Sequence, residues 1–221
     1  VRRLTKQYGA VMILDEVVSG FRYSPGGVQA LAGVVPDLTM LAKILAGGLP
    51  GGAVAGSVEM MAPLTYNQAP GQGRMYHPGT FNANPISAAA GVAALSIVRT
   101  GEPHKAANAA GARLRRLMNE AIAQRGLDAC VYGDASVIHV YLGPCDKRSD
   151  CDRQLCTNDA AKLKSGRATS GPLRRAMMVN GCDFIGATAL VSATHGEREI
   201  PETALAFGKA LDLLAAENLV K

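Results

Sequence analysis

Val11-Met12-Ile13-Leu14-Asp15-Glu16 is the stretch that decides how this chain is read. Four consecutive apolar residues run into a pair of carboxylates, with Gly9 just ahead. A run this short, bounded by glycine and charge, predicts a β-strand buried on both faces. Its counterpart lies downstream, where Pro36-Asp37 leads into Leu38-Thr39-Met40-Leu41-Ala42 and stops at Lys43. If the two strands are parallel, Asp15 and Lys43 both emerge at the carboxyl edge of the sheet, where open α/β sheets bind ligands. An acid and an amine among apolar, glycine-rich neighbours would be partly desolvated there. On spacing alone, Asp15 capping a turn and Lys43 snorkelling to water is the favoured reading.

Working outward, Ser24-Pro25-Gly26-Gly27 reads as a turn, and Gly47-Gly48-Leu49-Pro50-Gly51-Gly52 as a loop. Ala53 to Gly56 suggests a third strand, and residues 63–79 are polar and irregular. Asn84-Pro85 opens a helix, Asn as N-cap and Pro at the first helical position, running to Thr100. Its small residues, Ala88, Ala89, Ala90, Gly91, Ala93 and Ala94, suit very close packing. A second helix, about 104–125, carries Leu114, Leu117, Met118, Ala121 and Ile122 on one stripe.

After Gly126 the texture changes. Strands are expected at 129–132 and 137–142, a polar cysteine-bearing loop over 143–160, a helix at 172–180 and a strand at 189–192. A last helix from Pro201 should turn Leu205, Gly208, Leu211 and Leu214 inward. A domain boundary near 126 would separate an α/β portion, 1–126, from a smaller α+β portion, 127–221.

Composition sets the outer bounds. The chain has 221 residues, 48% hydrophobic and 19% charged, which excludes a disordered or collagen-like polymer. Aromatics are 5% with no Trp, against 25 Gly, so the core must rest on aliphatics and closely approaching backbones. The net charge of +5 comes from scattered pairs such as Arg2-Arg3, Arg115-Arg116 and Arg174-Arg175. No basic run interleaved with aromatics is present, which argues against nucleic acid as a partner.

The five cysteines are Cys130, Cys145, Cys151, Cys156 and Cys182. They read as reduced thiols, and the spacing of Cys145, Cys151 and Cys156 is not that of a zinc knuckle. The most apolar stretch, 86–98, is too short for a membrane span. With no targeting segment recognised, a cytoplasmic chain is expected.

Three segments carry a family resemblance. Leu14-Asp15-Glu16-Val17-Val18-Ser19-Gly20-Phe21-Arg22 resembles the cofactor-aspartate segment of class III pyridoxal-phosphate-dependent aminotransferases. Pro36 through Lys43 to Pro50 resembles that family's pyridoxal-lysine segment. Tyr76-His77-Pro78-Gly79-Thr80-Phe81-Asn82-Ala83-Asn84-Pro85 resembles its phosphate-contacting threonine segment. The three stand in family order, and Val191-Ser192-Ala193-Thr194-His195, leading into the last helix, is similar to the family's C-terminal domain. The nearest branch is the glutamate-1-semialdehyde aminomutases.

The resemblance implies the aspartate-aminotransferase type of α/β fold, with a mostly parallel sheet in the large domain and a small C-terminal domain. It implies pyridoxal 5'-phosphate as cofactor, with Lys43 supplying the amine that takes up its aldehyde. Asp15 would hold the pyridine nitrogen protonated, so that the ring serves as an electron sink. Val17, two residues on in the strand direction, would point the same way as Asp15 and pack on the ring. Thr80 would bind the phosphate, in this family that of the neighbouring subunit, so a homodimer with a shared active site is implied.

The implied reaction is amino-group transfer on a small amino acid or amino aldehyde, most like the conversion of glutamate 1-semialdehyde to 5-aminolevulinate. An intermolecular transfer to a keto acid is the alternative. Family members carry, ahead of the aspartate segment, a Gly-Thr phosphate loop and a ring-stacking aromatic that do not precede Val1. The sequence is therefore expected to be the C-terminal part of such an enzyme, and a non-catalytic or oligomerising fragment is the reading of another class. Gly51 and the segments 76–78 and 81–83 depart from the aminomutase pattern and leave the substrate open. His77, His139 and His195 read mainly as structural, Glu16 as non-catalytic, and Arg22 as a substrate contact or a structural ion pair.

Overall fold

The computed structural model describes residues 1–65, 73–145, 152, 154–155 and 157–221. The chain forms two compact units, Val1–Glu102 and Pro103–Lys221. The first opens with α1 (Arg2–Gln7), β1 (Ile13–Glu16), α2 (Gly27–Ala32), β2 (Leu38–Ala42) and β3 (Gly52–Gly56), then the short α3 (Val58–Met61) and α4 (Pro85–Val98).

The sheet order is β1-β2-β3. β1 and β2 are parallel, with Asp15 beside Met40 and Glu16 beside Leu41. β3 is antiparallel to β2, with Ala42 opposite Gly52. The pairing is therefore mixed among the described strands, where a mostly parallel sheet was expected. The connection between β2 and β3 is too short for the crossover that parallel neighbours need. β1 also departs from a strand buried on both faces: Ile13 and Asp15 are exposed, while Glu16 is buried. Alternation sends Leu14 and Glu16 to the opposite face from Ile13 and Asp15.

Asp37 fastens this corner. Its carboxylate accepts two hydrogen bonds from Arg2, at 2.7 and 2.8 Å, and one from the Met12 N–H at 2.7 Å. The Arg2 guanidinium first, and then that N–H, pull the Asp37 carboxyl down to about 2.

The helix expected from Asn84-Pro85 forms with its predicted cap: the Asn84 side chain accepts from the N–H groups of Ile86 and Ser87. Gly91 is its one fully buried residue, whereas Ile86, Val92 and Ile97 are exposed. The small residues do permit close packing. A β-carbon on Gly47 would meet the Ala90 carbonyl oxygen at 2.5 Å.

The second unit holds α5 (Glu102–Arg125), β4 (Ala129–Tyr132), β5 (Val137–Leu142), α6 (Ala160–Ala168), α7 (Ser170–Val179), β6 (Thr188–Leu190) and α8 (Glu199–Ala216). Its sheet, β4-β5-β6, is antiparallel throughout. The core gathers Leu114, Met118 and Ile122 from α5, Val131 and Ile138 from the sheet, Leu173 and Met177 from α7, and Phe207 and Leu211 from α8. Leu205, expected inward, is exposed, because the buried face of α8 runs through Ala206, Phe207 and Ala210. The α5 stripe packs into this core, and the two units divide at the head of α5.

Cys145 is disulfide-bonded, against the expectation of reduced thiols. Cys130 and Cys182 are reduced thiols outside any disulfide, and Cys151 and Cys156 lie outside the described residues. No helix among the described residues is long and apolar enough to cross a membrane.

Candidate functional site

The parallel register fixes where the two chemically interesting groups emerge. Asp15 is the penultimate residue of β1, and Lys43 follows directly on the last residue of β2. Both therefore leave adjacent strands at the carboxyl edge. Lys43 opens a 3-10 turn, Lys43–Ala46, preceded by fully extended Ala42 and closed by left-handed Gly47. Its own backbone is left-handed, with φ of 53°. An L-residue takes that conformation at a cost, and such strain gathers at functional positions.

Asp15 and Lys43 are both exposed, so the expected partial desolvation is not found. They stand where strands end, and apolar neighbours in sequence do not bury a side chain that points off the sheet edge. The Asp15 carboxylate accepts the Val17 N–H at 2.9 Å. β1 has ended by then, so Val17 sits half-buried in a turn and does not continue the strand alternation assumed for it.

Glu16 is the residue whose part the sequence did not reveal. Its side chain is buried, accepting the Gln29 N–H at 2.8 Å and the Ser19 hydroxyl. The signal was available: a second carboxylate directly after Asp15 in a strand must face the opposite way. Arg22 is half-buried, and burial pushes its guanidinium below the usual arginine range, with the Tyr23 hydroxyl opposing.

Thr80 belongs to a different element. It lies exposed in the turn before α4. The residues after it, Phe81 to Asn84, line a cleft of about 510 Å³ together with Leu45 and Ala46 of the lysine turn. Thus Asp15, Val17 and Lys43 are brought to one sheet edge, while Thr80 arrives from the α4 side. The glycines after Lys43 form a tight turn, with φ of 61° at Gly47 and 94° at Gly48.

The histidines make local contacts. Asn82 donates to the His77 carbonyl at 3.0 Å. His139 lies 3.0 Å from the Thr188 hydroxyl and against the Tyr132 ring, and its burial lowers its proton affinity. His195 Nδ1 takes the Ser192 N–H at 3.3 Å.

This arrangement has counterparts among known proteins. Residues 1–128 match the family described as Aminotransferase class-III. The glutamate-1-semialdehyde 2,1-aminomutase of Pyrobaculum aerophilum is 35% identical over 217 residues, covering 98% of this chain and 49% of the relative. That of Methanosarcina acetivorans is 34% identical over 210 residues, covering 94% and 46%. Among solved structures, an omega-transaminase from Sphaerobacter thermophilus superposes with a TM-score of 0.76 at 33% identity, over 96% of this chain and 46% of that one. The chain spans about half the length of the curated relatives it matches. The pyridoxal-phosphate-dependent transferase fold expected from the sequence is thus the fold found. With the family profile covering more than half of the chain, and relatives above 30% identity along nearly all of it, this chain belongs to the class III aminotransferases.

Proposed function

We propose that this chain carries the lysine-bearing part of a pyridoxal-phosphate-dependent enzyme that moves an amino group on a small amino acid or amino aldehyde. The observation that carries the reading is the shared edge of Asp15 and Lys43 on parallel strands. The donor set suits the cofactor. An exposed primary amine can take up an aldehyde, and an exposed carboxylate can hold a pyridinium proton. A solved structure described as a transaminase with PLP bound is 30% identical to this chain.

When bound, pyridoxal phosphate supplies an electron sink for charge developing beside the substrate's amine. Lys43 would hold the cofactor through its amine, and that amine would also take a proton from the substrate carbon and return it. Asp15 keeps a proton on the ring nitrogen, and the Val17 N–H orients its carboxylate. Val17 packs against the ring. Thr80 offers its hydroxyl to a phosphate, that of the partner copy in a homodimer.

Aminomutase chemistry is the preferred form, supported by the names of the curated relatives. Borohydride reduction in the presence of pyridoxal phosphate, followed by peptide mapping, should label Lys43. A label on Lys6, Lys105 or any other lysine overturns the assignment. Turnover of glutamate 1-semialdehyde without an added acceptor separates the aminomutase from an aminotransferase that needs a keto acid.

One observation favours a second reading, that the chain as it stands associates without catalysing. β3 is exposed along its whole length, and Ile86, Val92 and Ile97 of α4 are exposed too. Such faces favour association. A purified chain that scatters light as an oligomer and never turns yellow with pyridoxal phosphate supports it.

A further inference from the structure

Glu16 is buried to within 1% of its surface on the face of β1 opposite Asp15. A buried carboxylate is costly unless it is fully hydrogen-bonded. An apolar residue there would pack against Leu41 and Gly20 at less cost, so the acid calls for a reason beyond packing.

Its contacts supply one. One carboxylate oxygen accepts the Gln29 N–H at 2.8 Å, and the other accepts the Ser19 hydroxyl. The Glu16 carbonyl accepts the Gly20 N–H at 2.9 Å, closing the turn that starts at Val17. Gly27 has φ of 68°, and a β-carbon on it would lie 2.6 Å from the carboxylate, so this glycine leaves the acid its room. The Gln29 side-chain oxygen in turn accepts the Thr39 hydroxyl at 3.4 Å, on the strand that leads into Lys43. A single carboxylate thus ties the turn after Asp15 to α2, and through Gln29 to β2.

The partner of Asp15 among the described residues is the Val17 N–H, the first donor of that turn. Whatever fixes the turn fixes this donor. We propose that Glu16 is the positioning residue for Asp15: its buried carboxylate clamps Ser19 and Gln29, and so holds the Val17 N–H that orients the Asp15 carboxylate at the sheet edge. The consequence for cofactor chemistry rests on the function proposed above; the clamp itself does not.

The test uses the full chain with Glu16→Leu, which leaves the site filled but removes both acceptors, and Glu16→Gln, whose amide can still accept from Gln29 and donate to a turned Ser19 hydroxyl. The readout is the NMR shift of the Val17 amide as pH is raised through the carboxylate range, which reports its bond to Asp15. Glu16→Leu should roughly halve that excursion while far-UV circular dichroism stays unchanged, and Glu16→Gln should restore it. An unchanged excursion in Glu16→Leu overturns the proposal. If Glu16→Leu does not fold, Ser19→Ala carries the same test with the same two outcomes. In the cofactor-loaded protein, Glu16→Leu should keep attachment at Lys43 and shift the pH dependence of the visible band in the direction of Asp15→Asn. If Lys43 is not labelled in the unsubstituted chain, the function proposed above fails, and the Val17 excursion alone still decides for or against the clamp.

Discussion

Gly91 of α4 stands so close to Leu45 that a β-carbon built on it would lie 2.6 Å from the Leu45 carbonyl oxygen. Helix and lysine turn meet backbone to backbone, with no room for a methyl group. Gly91→Ala should therefore destabilise the chain by about 1–3 kcal/mol, the cost of overpacking a rigid contact. Urea unfolding checks it, and an alanine variant as stable as the parent would mean that α4 does not rest on this turn.

Lys43 allows chemistry and backbone strain to be separated. Its φ of 53° suits glycine better than any L-residue. Lys43→Gly should be more stable than Lys43→Ala by about 0.5–1 kcal/mol, because alanine keeps the strain that glycine relieves. Both variants should lose covalent capture of pyridoxal phosphate. Thermal melts together with borohydride labelling of the two variants test both halves of the statement.

The Arg2–Asp37 pair makes stability depend on acid. Asp37 is held at about 2, below its ordinary 3.8, so the folded form binds this proton less readily than the unfolded one. Its contribution is complete above about pH 4, shrinks as pH falls from there, and is gone below about pH 2. Asp37→Asn should flatten that part of the acid-unfolding curve while leaving its neutral-pH shape unchanged. A variant whose acid limb overlays the parent's contradicts the assignment.

In the second unit, Phe207 is wholly buried between α8 and the remaining core. Phe207→Ala should cost about 3–5 kcal/mol through lost burial and the cavity left behind. A smaller loss, read from denaturant midpoints at constant m-value, would indicate that α7 and α8 close over the gap.

Much of this was legible before any coordinates. Leu38–Ala42 and the strands at 129–132 and 137–142 announce themselves because apolar runs bounded by charge or glycine leave few alternatives. Asn84 as a cap is legible because its side chain acts on N–H groups two and three residues away. What escaped depends on contacts far along the chain. The exposure of Asp15 and Lys43 depends on what lies over the sheet edge, and the role of Glu16 on Gln29, thirteen residues on. The α6 helix (Ala160–Ala168) was missed because its sequence, with Gly166 inside and lysines around it, shows no apolar stripe. The strand alternation assumed for Val17 failed because a period of two was extended beyond Glu16, the last residue of its strand.

The outward–inward alternation of β1 has a bearing on how the chain finds its fold. Two neighbouring carboxylates occupy opposite faces, Asp15 in solvent and Glu16 inside with its partners waiting. A slip of one residue against β2 would exchange them. Asp15, one methylene shorter, would enter an interior shaped for a longer acid, and Glu16 would abandon Gln29. The wrong alignment therefore strands a carboxylate without donors, which an all-apolar strand could never do. Adjacent acids thus favour a single alignment: the shifted pairing would bury the Asp15 carboxyl away from the Gln29 N–H that the correct one offers to Glu16.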